Sequence, residues 1–425
     1  LLEGSALAVE DPALETSTTT FFLAYHAMND KALQEKVARL HLAACPELGF
    51  VAPHCKAPPI NRQRIRLGMI SAYFHLHSIG RLNQELIVRL GRGEIELTVF
   101  TMAGQDDEVS RKIKEAAERV VQLPDGLWEA RQRIADEKLD ILFYTDLGMD
   151  IRTYFLAFAR LARVQCVSWG HPDTTGIPAI DYFISSELTE PDGAEAHYSE
   201  QLYRLATLPT VYGRPEAEGP AKGREQFGFP AGANIYLCPQ MAIKFHPDLD
   251  QIAGRILADD PQAHFVLLEG AVSQWTDRVM ERMKRTLPDH HDRVRLIPRV
   301  APGDYLHLLA TADVILDTPH FSGGNTSYES FAMNKPVVTL AGEFMRGRVT
   351  LAQYRMMGIE DFIADNLEEF SAIALRLGTD AGYRTEMETR IAEASPCLFD
   401  EDAALEEFEK FFKWAVSLPN PAGIG

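Results

Sequence analysis

The 425-residue chain holds no Cys-x-x-Cys pair. Its five cysteines (Cys45, Cys55, Cys166, Cys238 and Cys397) are odd in number and widely spaced. That argues against a disulfide framework or a zinc site built on cysteine, and it fits a reducing cytoplasm. No apolar run approaches the roughly 20 residues that cross a bilayer, and no signal peptide is visible, so no membrane insertion is expected. Positive charge is scarce: 42 Lys and Arg stand against 61 Asp and Glu, a net charge of −19. Such a surface repels phosphates, which excludes nucleic acid as a natural partner, and an anionic ligand must be held by a local group of donors. Also missing are the G-x-G-x-x-G fingerprint, the P-loop and G-x-S-x-G, which disfavours a plain Rossmann dehydrogenase. The first residue is Leu1 rather than Met, as expected of a piece of a longer chain.

What is present is an ordinary globular balance, 46% hydrophobic and 24% charged, in a chain long enough for two domains or more. Residues 1–15 read as a tail, Phe21 to Ala44 as helix broken near Asn29-Asp30, and 51–62 as a Pro-rich linker. Strand and helix then alternate. The strands are IRLGMIS (65–71), IELTVFT (95–101), VVQLP, DILFYTD (140–146), VQCVSWG (164–170) and DYFISS (181–186). After the Gly- and Pro-rich stretch 213–223 the alternation restarts with NIYLCPQ (234–240), HFVLLEG (264–270), VRLIPRV (294–300), DVILDTP (313–319) and PVVTLAG (336–342). This pattern is α/β, two Rossmann-like domains in tandem facing a cleft, each a parallel sheet covered by helices. The expected division is 1–63 for tail, helices and linker, 64–210 and 211–385 for the two domains, and 386–425 for a helical tail.

In open parallel sheets, ligands sit beyond the carboxyl ends of the strands. Three stretches lie at such ends. In HFSGGNTSYES the paired glycines permit a tight turn and close approach, and Asn325, Thr326 and Ser327 then open a helix. The free N–H groups there favour an anion; plain capping by the same side chains is the alternative. Glu329, read in the first turn, can accept hydrogen bonds from sugar hydroxyls. In CPQMAIKFHP, Gln240 and Lys244 follow a strand, where a Lys neutralises a departing diphosphate or is simply a surface charge. In SAYFHLHS, His75 and His77 follow the first strand, as general base, hydrogen-bond partner or idle loop residues. His171 lies in a similar loop. Three other stretches are set aside: GRG at 91–93 precedes a strand, DLD at 248–250 reads as a helix cap, and DHHD at 289–292 as a polar loop.

Five segments in order resemble the catalytic region of the O-GlcNAc transferase/SPINDLY-type protein glycosyltransferases. They are GMISAYFHLHS; VSWGHPDTTGIPAIDYFISSELTEP followed by HYSEQLYRL; the Gln-to-Lys segment ending KFHP; RVAPGDYLHLLATADVILDTP; and NTSYESFAMNKPVVTLAGEFMRGRVTLAQYRMMG, with FIADNLEEF and RLGTD beyond it. The resemblance runs from about Ile65 to Leu418 and implies a GT-B fold and an inverting, metal-independent enzyme that uses a nucleotide sugar. It implies roles by position. His77 would be the active-site His, and Lys244 would meet the diphosphate with Gln240 beside it. Ala301 would read the base through its backbone. Gly324, Asn325, Thr326 and Ser327 would form the diphosphate elbow, and Glu329 would reach the ribose. His171 and Asp173 would lie on the acceptor and sugar side. Two departures from the animal enzyme, Asn-Thr-Ser for His-Thr-Thr and Gly-His-Pro for Gly-Tyr-Pro, are similar to the bacterial N-glucosyltransferase branch. The family's acidic residue after the elbow aligns with Ser330, one place past Glu329. The usual tetratricopeptide repeats are absent, and the N-terminal helices can be the end of such an array.

The expected partners are a UDP-sugar carrying GlcNAc or glucose and an acceptor protein or peptide with a Ser/Thr hydroxyl or an Asn amide. No cofactor and no metal is expected. Two alternatives from other classes are a nucleotide-sugar epimerase, which needs no acceptor, and a binding module without catalysis.

Overall fold

The computed structural model describes residues 8–58, 62–90, 93–104 and 106–418. Residues 1–7 of the expected tail, 59–61 of the expected linker, Gly91 and Arg92 of the GRG stretch, and 419–425 lie outside the described residues.

The chain divides into two compact units. One contains the chain up to Ala24, Met28–Gly213 and the chain from Glu401; the other contains Tyr25–Ala27 and Arg214–Asp400. The first unit is built on β1 (Ile65–Ile70), β2 (Ile95–Thr101), β3 (Arg119–Gln122), β4 (Leu139–Tyr144), β5 (Ala162–Ser168), β6 (Tyr182–Ser186) and β7 (Gln201–Leu205). They form one sheet in the order β3-β2-β1-β4-β5-β6-β7, and every pairing is parallel. The second unit is built on β8 (Asn234–Cys238), β9 (Ala263–Leu268), β10 (Val294–Ile297), β11 (Val314–Leu316), β12 (Val337–Leu340) and β13 (Ile363–Ala364). Its order, β10-β9-β8-β11-β12-β13, is again all parallel. Counted from its own first strand, each sheet starts 3-2-1-4-5-6, the doubly wound order whose direction reverses between strands one and four. That reversal opens a crevice between β1 and β4 in one unit and between β8 and β11 in the other.

The strands are parallel because both faces are covered, so their sequences read as nearly unbroken apolar runs. Leu67, Met69, Ile141 and Phe143 are fully buried, with Met69 in register with both Val99 and Phe143. The helix Ser78–Leu90 lays Ile79, Leu86, Ile87 and Leu90 inward at helical spacing. The strand β7 escapes a periodicity reading because it is a short, partly exposed edge whose polar residues, Gln201 and Arg204, do not alternate with apolar ones. β13 has two residues, too few for any pattern. Helices Val349–Met357, Leu367–Thr379 and Ala381–Ala394 complete the second unit.

Two segments differ from expectation. The linker contains a short helix, Pro53–Lys56, with Cys55 buried, and Val51 bridges in parallel to Arg160. The C-terminal helix Ala403–Ser417 is no tail: it belongs to the first unit. Phe408, Phe411, Phe412 and Ala415 join the cluster around Met69, Phe143 and Tyr182. The Phe408 ring lies 5.7 Å from Phe143, and Phe411 lies 5.5 Å edge-on to Tyr182. All five cysteines are free, and no described helix is long and apolar enough to cross a membrane. Phe408→Ala is expected to cost about 3–5 kcal/mol of stability through the cavity it leaves. Urea unfolding would measure the loss, and a change under about 1 kcal/mol would show that the helix is not part of this core.

Candidate functional site

In the second unit, the chain leaving β8 turns through Gln240 into a 3-10 turn, Ala242–Lys244. The chain leaving β11 reaches Asp317 and bends through 318–324 into the helix Asn325–Ala332. β8 and β11 are adjacent in the sheet, so both loops open at the point where the strand order reverses. Lys244 Nζ donates to Gln240 Oε1 at 3.0 Å and to the Ser322 carbonyl at 3.0 Å, and it lies 4.6 Å over the Phe321 ring. Gln240 Nε2 donates to Thr326 Oγ1 at 2.6 Å. A Lys, a Gln and a Thr from two loops thus form one chain of hydrogen bonds.

The elbow is held from beneath. Gly323 N–H donates to Asp317 Oδ1 at 2.7 Å, and Thr318 N–H to the same oxygen at 2.9 Å. Thr339 Oγ1 donates to Asp317 Oδ2 at 2.8 Å. Ser322 Oγ accepts the Val349 N–H at 3.0 Å, and Ser327 Oγ pairs with Thr350 Oγ1 at 2.7 Å. A Cβ on Gly323 would stand 2.4 Å from Ser327 Oγ, 2.5 Å from Thr326 Oγ1 and 2.7 Å from Gln240 Nε2. Burial pushes the Asp317 carboxyl upward against these hydrogen bonds and Lys244. Burial also lowers Lys244 to about 8, opposed by Asp317.

The expected residues fall as follows. Gly324 is the N-cap, with no side-chain cap bond; Asn325, Thr326 and Ser327 therefore do not cap but occupy the first turn. The Thr and Ser hydroxyls are used across the elbow instead. Glu329 is one turn further on than expected and is buried, at 6% exposure. Ser330 Oγ bonds back to the Thr326 carbonyl at 2.7 Å, so neither of these two positions presents an open carboxylate near the elbow's first turn. Ala301 is exposed and opens the helix Pro302–Thr311 beyond β10. The DLD stretch does not cap: Pro247 is the N-cap, and Asp250 instead takes Arg282 through two bonds of 2.9 and 2.8 Å. In DHHD, His290 Nδ1 lies 3.1 Å from Arg293 and His291 Nδ1 lies 3.1 Å from the Pro288 carbonyl.

In the first unit the loops after β1, β4 and β5 knit together. His77 Nδ1 accepts the Ile79 N–H at 3.2 Å, and its ring stacks on Tyr73 at 4.6 Å. Burial, then the neighbouring His75, lowers His77 to about 4. The ring is neutral, with Nδ1 accepting, so its proton resides on Nε2. Leu76 N–H donates to Asp107 Oδ2 at 2.6 Å, pinning this loop to the one after β2. A Cβ on Gly80 would stand 2.0 Å from the His75 carbonyl oxygen. Tyr73 O–H donates to the Met149 carbonyl at 3.2 Å. His171 is buried with Nδ1 on the Leu147 carbonyl at 3.0 Å. Asp173 is buried too, and accepts Gln34 Nε2 at 3.3 Å and its neighbour Thr174 N–H at 3.0 Å, so it ties the helix Lys31–Ala44 to this loop.

Two acidic groups escaped the sequence reading. Asp317 and Asp146 each end a run of apolar residues, at the fourth strand of their sheets, and that was the available signal. Asp146 accepts Thr145 Oγ1 at 2.8 Å. Burial pushes it up to about 7, against bonds from Ser71 and Thr145. It is therefore able to exchange a proton near neutrality.

The model of glycosyl transferase family 41 matches residues 23–212 and 217–404. A tomato (Solanum lycopersicum) protein described as a probable UDP-N-acetylglucosamine–peptide N-acetylglucosaminyltransferase SPINDLY is 24% identical over 346 residues. That match covers 77% of this chain and 36% of the tomato sequence. The Arabidopsis thaliana protein SEC, described as the same probable activity, is 25% identical over 407 residues, 90% of this chain and 41% of its own length. The chain thus spans well under half of these relatives. Among solved structures, a mutant of the Thermobaculum terrenum O-GlcNAc transferase superposes with a TM-score of 0.80 at 23% identity, covering 93% of this chain and 75% of that one. Anabaena HepE in complex with UDP and glucose gives 0.53 at 14% identity, covering 84% and 100%. These likenesses establish a GT-B fold of two Rossmann-like units. With both halves matched almost end to end, the chain belongs to glycosyl transferase family 41.

Proposed function

We propose that this chain is the catalytic region of an inverting, metal-independent protein glycosyltransferase. The donor is a UDP-sugar, carrying GlcNAc or glucose, and the acceptor is a protein Ser/Thr hydroxyl or Asn amide. The observation that carries this reading is the Lys244–Gln240–Thr326 chain over Gly323, at the crevice between β8 and β11. An ammonium, an open helix N-terminus and a hydroxyl gathered there suit a diphosphate. The family supports sugar transfer, and the names of the SPINDLY and SEC relatives support UDP-GlcNAc and a peptide acceptor.

In this reading the acceptor atom attacks the anomeric carbon from the face opposite the diphosphate. The bond from that carbon to the phosphate oxygen breaks, and its electron pair leaves with UDP. Lys244 and the first N–H groups of the helix Asn325–Ala332 stabilise the developing negative charge. Ala301 meets the base through its backbone. His77, carrying its proton on Nε2, donates a hydrogen bond to the sugar or acceptor rather than removing a proton. The acceptor's proton then passes to another group, for which a phosphate oxygen of the donor is well placed chemically.

Lys244→Ala is expected to lower turnover by roughly 10²–10³ while leaving the unfolding transition in place. In the wild type, UDP affinity should be flat below pH 8 and fall above it, because a Lys titrating near 8 must be recharged to hold the anion. The variant should lose that fall. Calorimetric titration across the pH range checks both, and an unaltered pH dependence in the variant would count against Lys244. For His77, the pH–rate profile of His77→Ala is decisive: reduced turnover with an unchanged profile is expected. Loss in the variant of an inflection near pH 4 would mean that His77 titrates as the base.

A further inference from the structure

The second unit holds another polar cluster next to the elbow. His246 Nδ1 lies 3.3 Å from Asp248 Oδ2, and His320 Nε2 lies 2.8 Å from the same oxygen. The two rings meet edge to face with centroids 4.5 Å apart. One donor atom from each residue falls within 4.8 Å of the others, and among the described residues no other group of His, Cys, Asp and Glu does so. The three side chains are 33%, 26% and 30% exposed, which leaves one side of the cluster open to water.

A loop latch would need one histidine on the carboxylate. Here there are two, and their chemistry differs. His246 Nδ1 accepts the Asp248 N–H at 3.3 Å, so it points a lone pair, not a proton, beside a carboxylate oxygen. Two acceptors facing one spot repel unless a cation lies between them. Two imidazoles and one carboxylate are a donor set for zinc and its neighbours, not for magnesium or calcium. Four-coordinate zinc at bonds of about 2.0–2.2 Å sets its donors roughly 3.3 Å apart. The two carboxylate edges are close to that spacing before any metal enters, and water can fill the fourth position.

We propose that His246, Asp248 and His320 bind one zinc-class dication that joins the loop carrying Lys244 to the loop entering the phosphate elbow. His246 follows Lys244 by two residues, and His320 precedes Asn325 by five. His320 also holds a left-handed backbone, φ 71°, a conformation that a non-glycine residue adopts at a cost. A metal fixes that bend. Its role is to stiffen the two loops, while transfer itself proceeds without it; the site therefore stands or falls separately from the donor-sugar reading.

The test is zinc titrated into chelator-stripped protein, read by calorimetry and thermal unfolding, with cobalt(II) as a spectroscopic probe. One equivalent of zinc is expected to bind and raise Tm by several degrees. Cobalt should give the intense visible absorption of a four-coordinate ion, and magnesium should do neither. His246→Ala and His320→Ala should each weaken zinc by about 100-fold or more, since even groups one step removed from a metal cost 10–100-fold. His291→Ala, in the other His-rich loop, should leave binding intact. Should His320→Ala fail to fold, His246→Gln carries the comparison. Absence of stoichiometric binding, binding that survives loss of either histidine, or binding lost in His291→Ala would overturn the proposal.

Discussion

The second unit depends on one buried carboxylate. Asp317 follows β11 and is buried, where an unpaired charge would cost several kcal/mol. It is satisfied by two backbone N–H groups and the Thr339 hydroxyl. One of those N–H groups belongs to Gly323, so satisfying the carboxylate also fixes the elbow. The same carboxylate opposes the drop in the Lys244 pKa. Under the proposed function stability and binding are coupled here: the bond that satisfies the buried carboxylate also shapes the elbow that would hold a diphosphate.

The first unit repeats this plan with different chemistry. Asp146 also follows the fourth strand, beside the reversal of strand order, but its bonds do not offset burial and its proton is held to about pH 7. Among the described residues no ammonium like Lys244 acts on it. Asp150 lies close enough to push its proton affinity up further, and the Tyr73 phenol, which donates to the Met149 carbonyl, feels the charge of both carboxylates. Under the proposed function, the second unit is the one that holds negative charge. In the first unit the His77 ring is neutral, which under the proposed function suits an uncharged sugar or acceptor.

The alternation of apolar runs with helical spacing made both sheets legible, because parallel strands buried on two faces write an unmistakable pattern. The edge strand β7, half exposed, and the two-residue β13 lack that pattern and were missed. The packing of the helix Ala403–Ser417 was missed for another reason: its phenylalanines announce a buried face but not which sheet it covers. At the site, Lys244, Gln240 and the elbow could be singled out because they follow strand ends. Which groups they bond was not legible. Thr326 reads equally as cap or ligand until Gly324 is seen to be the N-cap. Asp317 and Asp146 were absorbed into the apolar runs that announce the strands they follow, and the pairing of His246 with His320 depends on two loops 74 residues apart in sequence.

The most direct measurement is UDP binding to Gly323→Ala, by calorimetry, with folding followed by circular dichroism. A single Cβ there must displace the Thr326 and Ser327 hydroxyls or the Gln240 amide, without touching any charge. If the elbow is the diphosphate site, affinity should fall on the order of 100-fold in a protein that remains folded. Wild-type affinity in a folded Gly323→Ala protein would contradict the account.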